Sequence, residues 1–304
     1  MKLKSFLKKS MLIDKAYRKG FSTVAKVSPA TASKIKYFIT FGRKLNLKKP
    51  STFNEKLMWL KLNEDDSLKA TCADKFLVRD YIEKLGFNNL LNDLYNVYDR
   101  PEDISFSDLP NSFVLKCTHG SGCNIICSNK DRLDKEVALS KLKTWFATDY
   151  SLISAEPHYS KIKPRIIAEK FLGEDNGVVP IDYKIHCFHG EPQIIEVILD
   201  RGIGQKKSIM FDLNWNIMPY TKDALNFTEK IEKPLKLDDM VEIAKTLSNS
   251  FTYVRVDLYF YSNRIYFGEF TFTPAGCVDL DLLPDADYRI GELLDLNRSS
   301  LNVK

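Results

Sequence analysis

The 304-residue chain carries 45 basic and 40 acidic side chains, a net charge of +5, and 44% hydrophobic residues. That composition excludes a disordered or collagen-like chain and supplies the core of one large or two moderate domains. No apolar run reaches the ~20 residues of a membrane span. The six scattered cysteines contain no CxxC pair, so buried thiols are expected rather than a disulfide framework or a zinc site.

The charge is unevenly spread. Residues 1–50 hold fourteen Lys and Arg against Asp14 alone, so the remainder is net acidic. The opening MKLKSFLKKS is basic like the start of a signal peptide, but Lys8 and Lys9 interrupt the apolar stretch, and a cytoplasmic location is expected. Phe6, Leu7, Met11, Leu12 and Ile13 interleave with the lysines. This pattern fits peripheral contact with an anionic membrane and equally a solvated helical face; no nucleic-acid partner is expected.

In chain order, Thr52-Phe53-Asn54-Glu55 has the capping-box pattern and opens a helix carrying Leu57, Trp59 and Leu60. A second helix is predicted from Asp74 to Leu85, closed by Gly86. Leu90 to Tyr98 is β-like. Phe113 to Cys117 reads as a strand, followed by the small, polar Thr118-His119-Gly120-Ser121-Gly122 and a returning strand at Ile125 to Cys127. Leu133 to Tyr150 is helical, and Arg165 to Leu172 is a strand. Further strands are predicted at Tyr183–Phe188, Gln193–Leu199, Ser208–Asp212, Val254–Tyr261 and Ile265–Thr271, with a helix at Leu237–Leu247. Helices early and strand pairs late make an α+β chain. His186, Cys187 and His189 lie on a strand, where residues three apart point to opposite faces, so a core or surface role is expected for them over a metal site.

The last strand pair carries the most chemistry. Val254, Val256, Leu258 and Phe260 share a face on the first strand; Tyr266, Phe270 and Phe272 share parity on the second. If both faces meet one core, the connecting loop has an odd number of residues. A loop of Ser262, Asn263 and Arg264 then sets Asp257 opposite Glu269, with Arg255 and Thr271 beside them. Opposed carboxylates need a cation between them. Mg²⁺ with substrate phosphates fits that demand, and so does a bridge from Arg255 or Arg264.

Lys116 ends an otherwise apolar strand, which places its amine in a cleft or in solvent. The His119-Gly120-Ser121-Gly122 loop that follows has backbone N–H groups able to approach phosphate oxygens, and a plain hairpin turn is the other reading. No Walker lysine or GxGxxG is present.

The order of these motifs resembles the ATP-grasp superfamily and, within it, the TupA-like ATP-grasp proteins of bacterial surface-polysaccharide biosynthesis. The phrases that carry the resemblance are FNEKLMWLKL, ADKFLVRDYI, FVLKCTHGSG, IIAEKFL, DYKIHCFHGEP and VRVDLYFY…IYFGEFTFTPAG, from about Thr52 to Gly276. The resemblance implies an ATP-grasp fold with two α+β subdomains clamping ATP. It divides the chain into a basic, mostly helical segment (1–50), a helical region (51–110), a small subdomain with the glycine loop (111–165) and a large subdomain with the Mg²⁺-binding hairpin (166–304). It implies that Lys116 and Lys75 contact ATP phosphates together with the 119–122 loop. Glu169 and the backbone of Lys170, Phe171 and Leu172 would read adenine, and Asp182 or Glu174 the ribose. Lys184, beside Asp182, lines the nucleotide site or merely pairs with it. Arg201 would steady the moving phosphoryl group and, with Lys116, serve catalysis. Asp257, Glu269 and Thr271 would hold Mg²⁺. Many relatives have Glu-x-Asn where this chain has Glu269-x-Thr271, and a hydroxyl is a weaker ligand than an amide carbonyl.

The implied activity is an ATP- and Mg²⁺-dependent carboxylate–amine ligase working through an acyl phosphate. Its carboxylate acceptor would be a uronic-acid-containing glycan or precursor, and its amine donor an amino acid. Two rivals are a glycosyltransferase using Asp279-Leu280-Asp281 as a DxD motif, and a non-enzymatic polyanion- or membrane-binding protein built on the basic segment.

Overall fold

The computed structural model describes residues 17–174, 179–199 and 207–299. Helical backbone at 17–27 (α1) is followed by α2 (Pro29–Phe41), α3 (Phe53–Asn63), α4 (Ser67–Ala73) and α5 (Val78–Lys84). The capping box of α3 closes from both sides: Glu55 N–H donates to the Thr52 hydroxyl, and Thr52 N–H to the Glu55 carboxylate. The second half of the basic segment is part of the fold, since Tyr37 and Leu45 share a core with Phe53, Leu57 and Met58 of α3.

Four strands form a small antiparallel sheet in the order β1 (Leu94–Tyr98), β4 (Ile166–Lys170), β2 (Phe113–Cys117), β3 (Asn124–Cys127). The expected subdomain borders at 110 and 165 therefore run through one sheet, because β1 and β4 join it from either side. Phe113, Leu115, Cys117, Ile125, Cys127, Ile166 and Ala168 pack on Ala138 and Leu142 of α6 (Lys135–Phe146). The alternation of a strand then turns Val114, Lys116, Ile126 and Glu169 to the other face. A short α7 (Tyr150–Ser154) leads into β4's approach.

The larger sheet has six antiparallel strands in the order β10 (Arg264–Thr271), β9 (Tyr253–Tyr261), β5 (Asp182–Phe188), β6 (Glu191–Leu199), β7 (Lys207–Phe211), β8 (Ile217–Met218). One face is apolar and covered by α8 (Leu237–Ser248), whose Leu237, Met240, Ala244 and Leu247 recur at helical spacing. The opposite face is divided. Phe188, Ile194, Met210 and Tyr253 pack under α2, α3 and α9 (Pro284–Glu292); the rest carries charged residues. A last turn, α10 (Leu296–Ser299), ends the described chain.

The β9–β10 hairpin reaches the expected pairing by another route. Its turn has two residues, Ser262 and Asn263, both at positive φ (49° and 59°), the geometry that matches strand twist. Arg264 pairs with Tyr261, and Phe267 with Leu258; a β-bulge at Gly268 then supplies the extra residue and restores Glu269 opposite Asp257. The inward residues are thus Ile265 and Phe267 before the bulge, and Phe270 and Phe272 after it. A side chain at 268 has no room: a Cβ there would lie 2.9 Å from the Asp257 carbonyl and 2.8 Å from the Tyr259 ring.

Candidate active-site cleft

The polar face of the small sheet and the β9–β10 side of the large sheet enclose a cleft with two cavities along it. The first, of about 420 Å³, is lined by Val114, Lys116, Ile126, Lys170, Phe171, Leu172 and Tyr259, among others. Its walls set Val114, Ile126, Phe171, Leu172 and Tyr259 beside polar Asn92, Asn124 and the two lysines. The second, of about 410 Å³, is polar and includes Lys75, Ser121, Arg255, Glu269 and Thr271. A narrow space bounded by Lys75, Arg79, Lys116, Glu169 and Gly268 lies between them.

Lys75 sits at the corner between α4 and α5. Asp74, fully buried, shapes that corner by accepting from the N–H groups of Phe76 and Leu77. The Lys75 amine donates to the Gly120 carbonyl at 2.8 Å and lies 3.5 Å from Glu269, so it ties the glycine loop to β10. Lys116 donates to Glu169 at 2.7 Å, and Arg79 flanks the same carboxylate at 3.3 Å. Glu169 therefore pairs with two cations. The Lys170 carbonyl already accepts from Asn92, and its N–H donates to Asp93. Of the expected loop residues, Ser121 lines the polar cavity, whereas the His119 ring is buried edge-on against Phe146.

Behind this wall runs a buried charge ladder. Asp257, 1% exposed, receives two hydrogen bonds from Arg255, at 2.7 and 2.8 Å, and a third from Lys184 across the β5–β9 pair. Lys184 also bridges to Asp182 at 2.8 Å. Arg255 continues to the Thr271 hydroxyl at 3.1 Å and toward Glu196, which is shared by Ser208 and His186. Burial works to raise the Asp257 pKa, but Arg255 and Lys184 outweigh it and hold the group ionised. Glu269 differs: its side chain is 36% exposed. Burial again pushes its pKa up, and Lys75, ahead of Lys184 and Arg255, brings it below the ordinary value.

Each of the opposed carboxylates thus has its own cations, Arg255 and Lys184 at Asp257 and Lys75 at Glu269. Asp257 and Asp182 line neither cavity, while Glu269 and Thr271 line the polar one. Among the described residues no three His, Cys, Asp or Glu side chains converge as a metal cage. The donor set still fits a Mg²⁺ that arrives with phosphates, which asks one or two carboxylates of the protein; Glu269 is the open one. Arg201 lies outside the described residues. Glu174 is exposed at the end of the segment after β4, where the Tyr261 hydroxyl donates to the Gly173 carbonyl. In the DxD stretch, Asp279 accepts from the Asp281 N–H in a local turn, and neither residue lines the cleft. His186 is buried against Tyr253 and Glu196, Cys187 faces the α8 core, and His189 accepts from the Asp295 N–H.

Several cleft residues carry no local signal in the sequence. Arg79, near the start of α5, comes four residues after Lys75 across the α4–α5 corner, and nothing in its own neighbourhood marks it. Lys36, Tyr150, Glu156 and Tyr159 reach the polar cavity from α2, α7 and the turn after it.

Among solved structures, the chain is similar to a D-alanine–D-alanine ligase from Bacillus anthracis complexed with ATP (18% identity, 85% of this chain and 76% of that one, TM-score 0.46). It is also similar to the D-alanine–D-alanine ligase of Helicobacter pylori (14%, 84% and 70%, TM-score 0.45) and an L-amino acid ligase from Bacillus licheniformis (14%, 79% and 54%, TM-score 0.43). No curated protein matches the chain. The family described as TupA-like ATPgrasp matches residues 55–295, which include both sheets and every wall of the cleft except Lys36. The chain belongs to the TupA-like ATP-grasp family and is, with it, an ATP-dependent enzyme of the ligase type.

Proposed function

We propose that the cleft binds MgATP with adenine in the apolar cavity and the triphosphate running past Lys116 and Lys75 into the polar one. The observation that carries this reading is the pair of cavities with a narrow space bounded by Lys75, Arg79 and Lys116 between them. Glu269, with Thr271 beside it, would hold Mg²⁺, and Asp257 would fix Arg255 and Lys184 rather than lead the coordination. Bound there, Mg²⁺ offsets charge on the transferring phosphate.

The reaction we propose joins a carboxylate to an amine. A carboxylate oxygen attacks the γ-phosphorus while the bond to the bridging oxygen breaks, giving ADP and an acyl phosphate. The amine then attacks the acyl carbon, phosphate leaves with the C–O electrons, and the ammonium proton passes to solvent. Lys75 and Arg255 stand on the polar cavity's wall to offset the developing charge, so the work is positioning and electrostatics. The acceptor reading is a surface polysaccharide or its precursor, with an amino acid as amine donor. Mass spectrometry that finds an amide, with ADP and phosphate, when ATP, carboxylate and amine are all supplied supports the ligase; a phosphorylated end product with no amide in the presence of the amine overturns it.

Peripheral membrane contact belongs to the same proposal. Val27, Phe38 and Ile39 are exposed (83%, 54% and 60%) among the lysines of α1 and α2, and no described helix is long and apolar enough to cross a membrane. Cosedimentation with anionic but not neutral vesicles, lost in Phe38→Ser/Ile39→Ser, tests it.

A further inference from the structure

The polar cavity extends beyond the residues that face the phosphates. Its far corner is made by Lys36, Glu156, Thr273 and Gly276. Lys36 comes from α2, outside the residues the family matches, and its amine donates to the Gly276 carbonyl at 3.3 Å. Gly276 leaves room for that amine: a Cβ there would lie 2.3 Å from it and 3.4 Å from Glu156.

Two features mark this corner as built for a ligand. The first is charge. Lys61 of α3 is 3% exposed and its amine has no hydrogen-bond partner among the described residues. Glu156, 4% exposed, is the carboxylate next to both amines; burial raises its pKa and lowers that of Lys61, so each leans toward its neutral form. An anion arriving at the corner would favour the ammonium form of Lys61 and give its amine the partner it lacks. The second is backbone strain. Ala155, Ala275 and Cys277 all have left-handed φ (54°, 49° and 61°) without being glycine. They flank Glu156 and Gly276, and such strain gathers where a site must be held open.

We propose that this corner is an anion subsite, in which Lys36, backed by Lys61, binds a second carboxylate on the substrate whose first carboxylate is activated. This rests on the ATP-dependent reading of the cleft and adds to it the class of substrate. Thr271, at the phosphate end, and Thr273, at the Lys36 corner, are two residues apart, a separation of at most about 7 Å. A diacid of four to six carbons spans that distance, and Glu156 with the Thr273 hydroxyl fixes the orientation of the amine that receives it.

The test uses the full chain saturated with MgAMP-PNP, titrated calorimetrically with succinate, glutarate and adipate, each against its monoamide. At least one diacid is expected to bind tenfold or more tightly than its monoamide. In Lys36→Met that diacid is expected to fall to the monoamide's affinity, with AMP-PNP binding unchanged. No preference for any diacid, a preference that survives Lys36→Met, or a loss of AMP-PNP affinity in that variant overturns the subsite. Failure of the wild-type protein to bind MgAMP-PNP at all instead refutes the nucleotide reading, and the subsite's role with it.

Discussion

Asp257→Asn and Glu269→Gln are the same chemical change made on two facing residues, and the structure separates their consequences. Asp257 is 1% exposed and accepts from Arg255 twice and from Lys184 once. Removing its charge leaves a buried guanidinium and a buried ammonium with one anion fewer. Breaking a buried pair from one side costs about 3–5 kcal/mol, a fall in Tm on the order of 10 °C. Glu269, 36% exposed and 3.5 Å from Lys75, makes a contact worth about 0.5–1 kcal/mol after solvent screening. Glu269→Gln is therefore expected to melt within a few degrees of the wild type while losing most of its Mg²⁺-dependent affinity for an ATP analogue. Asp257→Asn is expected to melt far earlier. Calorimetric melting and analogue titrations with and without Mg²⁺ on both variants decide it. Equal melting temperatures for Asp257→Asn and wild type would refute the charge ladder; unchanged Mg²⁺ dependence in Glu269→Gln would refute the proposed ligand.

Three other outcomes follow from the same geometry. His158 is 3% exposed, and burial, then Lys69 and Lys61, push its pKa down to about 3. The unfolded chain takes up a proton near pH 6.5 that the folded chain refuses, so stability falls as pH drops below 6.5. The loss between pH 7 and pH 5 is about 2 kcal/mol; urea midpoints should show that increment in wild type and lack it in His158→Gln. Lys61→Met removes a buried amine with no hydrogen-bond partner among the described residues and is expected to stabilise the fold by about 1 kcal/mol or more in urea titrations; a lower midpoint would mean that the amine has a partner. Ile126, 55% exposed on the wall of the apolar cavity, can be enlarged without touching the core. Ile126→Trp should weaken binding of a fluorescent ATP analogue tenfold or more with stability within about 0.5 kcal/mol of wild type, and undiminished binding would move adenine elsewhere.

What the sequence disclosed, it disclosed through local rules. The capping box at Thr52 and Glu55, the strand ending at Lys116 and the α8 periodicity each rest on neighbours within a few residues, and each is present. The Asp257–Glu269 pairing was also legible, because strand parity records which residues must share a face. Parity records only the total offset, however. A three-residue loop and a two-residue turn with a bulge at Gly268 shift the register by the same amount, so the bulge was invisible until backbone geometry was known. The cation on Asp257 from the neighbouring strand was hidden for a different reason. Lys184 meets Asp257 only because β5 and β9, some seventy residues apart, are neighbours in the sheet. Lys36, Arg79 and Glu156 likewise reach the cleft from segments whose own patterns say nothing of one another.

That non-local assembly changes how the cleft's charges act. Lys116 rests on Glu169, Lys75 on Gly120 and Glu269, and Lys184 and Arg255 on Asp257. The first two pairs border the cavities, with Lys116 24% and Glu269 36% exposed, whereas the side chains of Lys184 and Asp257 are 6% and 2% exposed and line neither cavity. An arriving triphosphate can draw Lys116 and Lys75 away from carboxylates at modest cost, because screened pairs are weak. Drawing Lys184 from Asp257 would strand a buried anion, so that pair stays put and holds Arg255 in place. The deep ladder thus fixes geometry and the shallow pairs exchange partners, a division that follows from burial alone.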